Sequence, residues 1–102
     1  MKNKTPSSAG QLPVPFSLGQ IVATPGALRL LKRHGISPLT LLARHASQDW
    51  GVLPPEDIAA NNRALIHGDR ILSSYEVSDE CVWIITEGGL REATAILRPE
   101  DY

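Results

Sequence analysis

At Gly68 the chain changes its hydrophobic period, and that change limits its architecture more than any other feature. Before it, apolar residues recur at three- and four-residue spacing. After it come three runs, RILSSYEV, CVWIIT and REATAIL, rich in β-branched and aromatic residues, which read as strands. Ser78-Asp79-Glu80 turns the first run into the second, and Gly88-Gly89 turns the second into the third. Loops this short force antiparallel neighbours, and Pro99 ends the last strand. A three-stranded meander needs one face buried, so the helical segments before Gly68 must cover it. The expected class is α+β.

Upstream, LGQIVA carries β-branched Ile21 and Val22 and would add a fourth strand from residues 18–23. It stops at Thr24-Pro25, where threonine can cap a helix and proline suits its first position. The first helix is predicted from Pro25 to about His34, with Ala27, Leu28, Leu30 and Leu31 inward and Arg29, Lys32 and Arg33 in water. Gly35 supplies a left-handed C-terminal cap. Ser37-Pro38 repeats the start signal and opens a second helix with Leu39, Leu42 and Ala43 inward. A third begins at Pro54-Pro55-Glu56-Asp57, draws its apolar side from Ile58, Leu65 and Ile66, and ends at Gly68. Asn61 and Asn62 interrupt that side at helical spacing, so one of them is placed to face inward. Residues 1–15, with Pro6, Pro13 and Pro15 among Lys, Ser and Gly, read as a flexible lead-in to a single domain over 16–102.

The chain has 102 residues, 42% of them hydrophobic and 21% charged, which suits one soluble domain. Cys81 is the only cysteine, so neither an intrachain disulfide nor a cysteine-built zinc site can form, as suits a reducing compartment. No apolar run approaches about 18 residues, and MKNKTPSSAG lacks the apolar core of a secretory signal. A cytoplasmic protein is expected. The net charge of −1 hides an asymmetry: residues 1–48 hold six Lys/Arg and no acid, whereas the remainder holds four Lys/Arg and eleven Asp/Glu. Either the halves neutralise each other on folding, or a basic face is offered to an acidic partner.

Four segments, LGQIVATPGAL, SPLTLLARHASQDWG, NNRALIHGDRILSSY and VWIITE with LRPEDY, together resemble a small bacterial family carried on plasmids and other mobile elements. Its members are described as plasmid-related, and some are labelled as a type I restriction modification subunit, for which this chain is far too short. The resemblance spans roughly residues 16–102. Its pattern falls on His45, Ser47, Asp49, Trp50, Gly51, Asn61, Ser73, Tyr75, Trp83 and Thr94. The chain departs from it at Gln48, where a glycine is usual, and by one added residue near Gly88-Gly89, just ahead of Arg91. The family implies a genomic setting and brings no mechanism with it.

The densest chemistry lies in HASQDWG. His45 and Asp49 are four residues apart, the minimal acid–base pair if they meet, with Asn61, Ser73 and Tyr75 as supporting groups. Ser47 lacks the strand-turn-helix elbow of a nucleophile. The alternative is structural: His45 ends a helix, Asp49 bonds loop amides, and Trp50 anchors the loop to the core or serves as a binding contact. His34, His45 and His67 stand 11 and 22 residues apart, which is no metal-ligand spacing, and no glycine-rich phosphate loop occurs, so neither metal nor cofactor is expected. Arg29, Lys32, Arg33 and Arg44 could touch phosphates. LTLLARH offers few polar groups to base edges, so nucleic-acid binding would be weak and blind to sequence. The leading expectation is a non-enzymatic accessory protein of mobile elements, acting as monomer or homodimer through contact with another protein, with a role in host defence or plasmid maintenance.

Overall fold

The computed structural model describes residues 16–102; the lead-in expected over residues 1–15 lies outside them. Strand β1 (Gln20–Ala23) runs into helices α1 (Pro25–Arg33), α2 (Pro38–Ala46) and α3 (Pro55–His67). Strands β2 (Ile71–Val77), β3 (Glu80–Thr86) and β4 (Ala93–Leu97) follow, and a 3-10 turn, Pro99–Asp101, closes the chain. The fold is α+β. Thr24 caps α1 by accepting from Ala27 N–H, and Ser37 caps α2 by accepting from Leu39 N–H. Gly68 ends α3 in the left-handed conformation, at φ 79°.

The meander forms as its short turns require, and the sheet order is β1-β4-β3-β2. LGQIVA does supply a fourth strand. It pairs parallel with β4, Ile21 opposite Thr94 and Ala23 opposite Ile96, because three helices and two strands separate the pair and leave its direction free. Register places Ile71, Ser73, Tyr75 and Val77 of β2, Val82, Ile84 and Thr86 of β3, and Thr94 and Ile96 of β4 on one face. Ala27, Leu30 and Leu31 of α1 and Leu41 and Leu42 of α2 pack there with Tyr75, Val77, Val82, Ile84 and Ile96. A second apolar cluster joins Phe16, Trp50, Ala64 and Ile71, with Leu18, Leu53 and Leu65 against it.

The helices turn differently from their expected faces. In α1 Leu28 lies on the exposed flank, leaving a narrower stripe of Ala27, Leu30 and Leu31. In α2 the buried residues are Leu41, Leu42 and His45; Ala43 is exposed and Leu39 is 74% exposed. The stripe is rotated so that an imidazole enters the sheet face beside Leu41 and Leu42, in place of Leu39 and Ala43. In α3 the buried residues are Asn61 and Ala64, and Ile66 is 80% exposed. This helix offers a polar side chain to the rim of the sheet, and its apolar contribution is reduced to Ala64, with Leu65 beside it, in the cluster around Ile71.

Candidate functional site

Helix α2 ends by folding its own polar groups back onto its backbone. Ser47 hydroxyl donates to Ala43 C=O at 2.8 Å, and Asp49 N–H donates to Arg44 C=O at 2.9 Å. Between them Gln48 sits at φ 67°, a left-handed conformation that favours glycine, and Gly51 follows at φ 77°. Gly51 lies so close to Ser74 C=O that a Cβ there would collide with it. Arg44 Nε donates to Asp49 Oδ2 at 2.6 Å, Gly51 N–H donates to Oδ1 at 3.3 Å, and Tyr75 hydroxyl donates to Asp49 C=O at 2.7 Å. The Arg44 guanidinium also lies 4.6 Å from the centre of the Tyr75 ring. The hydrogen bond from Arg44 holds the Asp49 carboxyl below its usual range, and burial pushes the Tyr75 phenol up to about 12.

The pair expected of His45 and Asp49 does not form, because the two side chains leave the helix end in opposite directions. Asp49 stays at the surface on Arg44, and His45 is fully buried. Phe16 and Trp50 pack against the imidazole edge-on, at centroid distances of 5.4 and 5.8 Å. His45 Nδ1 lies 2.5 Å from Ser73 Oγ, and Nε2 lies 2.9 Å from Thr86 Oγ1. Thr86 Oγ1 is 2.7 Å from Thr94 Oγ1, which donates to Leu18 C=O at 2.6 Å.

Proton counting along this chain sets its direction. Leu18 C=O can only accept, so Thr94 spends its single proton there. Thr86 must then donate to Thr94, and His45 Nε2 must donate to Thr86. The imidazole is therefore the Nε2–H tautomer, and Nδ1 accepts from Ser73 hydroxyl. Every donor and acceptor of the ring is used. Burial without a counter-charge pushes the His45 pKa down to about 4, so the ring is neutral near pH 7. A neutral imidazole with both nitrogens bonded inside the core clamps α2 to β2, β3, β4 and the segment ahead of β1.

Of the five residues considered for an acid–base site, Ser73 joins His45, and Tyr75 joins Asp49 through the loop backbone. Asn61 stands apart from both. Its amide Nδ2 donates to Leu72 C=O at 2.6 Å and its Oδ1 accepts from Leu72 N–H at 3.1 Å. It thus satisfies the outer edge of β2 as a neighbouring strand would. Trp50 is buried, and its C=O accepts from Ser74 N–H while Val52 N–H donates to Ser74 C=O. Sequence reasoning missed Thr86 and singled out Thr94 only as a position of the family pattern, although strand alternation puts both among the inward residues and a short loop makes them cross-strand partners. It also missed Arg91, which is buried and donates to Ala64 C=O, Asp69 C=O and Glu87 C=O. There it gathers the carbonyl end of α3 onto the turn before β4.

The basic residues of α1 stay outside. Arg29 and Lys32 are exposed, and Arg33 is exposed while pairing with Glu80 at 3.4 Å. Two of the first half's charges, Arg33 and Arg44, are thereby matched to acids of the second half. His34 and His67 are exposed at their helix ends. Among the described residues no group of three or more His, Cys, Asp or Glu gathers as metal ligands, and no helix is long and apolar enough to cross a membrane. Comparison of the chain with known protein families, with characterised proteins and with solved structures finds no match.

Proposed function

We propose that the protein is a non-enzymatic binding protein that works by contact with another protein, as an accessory factor of bacterial mobile elements acting on host defence or plasmid maintenance. The observation that carries this reading is how the reactive side chains are used. His45 is neutral, buried and fully bonded, Asn61 is committed to backbone, and Asp49 is held by Arg44. A general acid–base group needs a free position facing substrate and a pKa near the working pH, and His45 has neither. Polar groups spent in this way build a rigid scaffold whose surface does the work.

The surface that suits an acidic partner is the outer side of α1, where Arg29, Lys32 and Arg33 stand exposed together. The mobile-element setting rests on the resemblance of the four segments quoted above. The test is affinity capture from a plasmid-bearing bacterial host, comparing the natural chain with a triple alanine variant at Arg29, Lys32 and Arg33. A partner retained by the first and lost by the folded variant, with retention falling as salt rises, supports the reading. Equal retention by both refutes this surface. Titration with unrelated DNA duplexes runs alongside: sequence-dependent binding at near-physiological salt would replace the protein partner with nucleic acid.

A further inference from the structure

The two edges of the sheet are finished differently. On β2 the outward backbone groups of Leu72 are bonded by the Asn61 amide, and those of Ser74 by Trp50 C=O and Val52 N–H. On β1, Gln20 N–H donates to Glu92 C=O and Thr24 N–H to Ile96 C=O. Alternate residues of a strand share a side, so Gln20, Val22 and Thr24 turn their backbone to β4, and Ile21 and Ala23 turn theirs outward. Among the described residues no strand pairs with that outer side. Ile21 is 41% exposed and Val22 46%.

Proteins ordinarily blunt such an edge by keeping the strand short or with a lysine, a proline or a bulge. This strand is short, at four residues, but Gln20–Ala23 holds no proline, and no charged residue occurs anywhere between Lys4 and Arg29. The missing charge bears on which occupant the edge fits. In a two-fold contact each residue meets its own copy or a near neighbour of it, so a charge on the edge would oppose a like charge. A neutral, β-branched edge is complementary to itself.

We propose that β1 is the interface of a two-fold homodimer, pairing antiparallel with β1 of a second copy so that the two sheets join into one. The register follows from the outward groups. With Val22 on the axis, Ile21 of each copy lies opposite Ala23 of the other, and these residues exchange about four hydrogen bonds. Val22 then meets Val22 of the second copy at a non-hydrogen-bonded pair, the close position that suits β-branched side chains. On each copy Val22 shares the sheet face opposite the helices with Ile85, Ala95 and Leu97, so pairing makes that apolar face continuous. The proposal is independent of the α1 surface and its partner. A four-residue strand and its flanks bury less than the ~800 Å² per partner of a standard interface, so the dimer is a weak one, with a Kd on the order of 100 μM.

Sedimentation equilibrium on the full chain from roughly 5 to 500 μM brackets that value. The natural chain should rise from one chain mass towards two, and amide exchange at Ile21 and Ala23 should slow with concentration. Ile21→Pro removes an outward donor, and Val22→Lys sets two like charges face to face; both leave the β1 to β4 bonds in place. Each variant that keeps its far-ultraviolet circular dichroism should remain monomeric across the range. A natural chain that stays monomeric overturns the proposal, as does a dimer that a folded variant retains. Protection of Ile21 and Ala23 at all concentrations also overturns it, because the edge is then covered from within the chain.

Discussion

Lowering the pH from about 7.5 to about 4 should withdraw stability through His45, by an amount the structure sets. Unfolded, the imidazole titrates near its ordinary value of about 6.5. In the folded protein burial beside Phe16 and Trp50 pushes it down to about 4. Between those values the unfolded chain binds a proton that the folded chain refuses, so stability rises with pH. The contribution is fully present above about pH 6.5, is lost as pH falls towards about 4, and is exhausted below. At about 1.4 kcal/mol for each unit of difference, the loss amounts to roughly 3 kcal/mol. That is a large share of the 5–15 kcal/mol typical of a domain. The relay gives the same answer locally: a proton on Nδ1 would meet the Ser73 hydroxyl that now donates to it, and that hydroxyl would need a new acceptor. The assay is urea unfolding at half-unit pH steps, for the natural chain and for His45→Gln, which offers an N–H to Thr86 and a carbonyl to Ser73 without titrating. Subtracting the variant removes the carboxylates that both proteins share. The natural chain should show the extra slope and the variant should not. Equal slopes in the two proteins would refute the buried neutral imidazole and the proton order derived from it.

Three further substitutions test the scaffold. Asn61→Ala strands the N–H and C=O of Leu72 at the sheet rim and should cost about 2–4 kcal/mol in denaturant unfolding; an unchanged midpoint would show that water replaces the amide without penalty. Trp50→Ala removes a buried ring that packs on both Phe16 and His45 and should cost about 3–5 kcal/mol; a loss below about 1 kcal/mol would mean that the loop is not anchored there. Gln48→Gly should raise stability by up to about 1 kcal/mol, since relief of the left-handed strain slightly exceeds the entropy glycine adds to the unfolded chain. A lower midpoint for Gln48→Gly would place that residue's value in a contact instead of its backbone.

The features legible in the sequence are those whose causes lie within a few residues. Thr24 and Ser37 cap α1 and α2 because a side-chain oxygen reaches an amide two or three positions ahead, and Gly68 ends α3 through its own φ. The meander follows from alternation and from turns too short for any other connection. Charge neutrality along β1 is likewise visible before any fold is known.

The face that α2 buries is different. Leu39 and Leu42 are equally apolar, and only the sheet decides that Leu42 enters while Leu39 remains in water. His45 shows why. Four residues from Asp49 it looks half of a catalytic pair, but its partners are Ser73 and Thr86, 28 and 41 positions away, and β-strand register is what sets them under the ring. Asn61, an interruption in an apolar stripe, becomes a cap for Leu72 because α3 happens to cross the rim at that point. Apolar burial is non-directional, so composition and period foresee that each helix buries an apolar side, but not which of its leucines enters. A buried polar group must find a partner at about 3 Å and in the right orientation, and tertiary structure alone decides which distant residue that is.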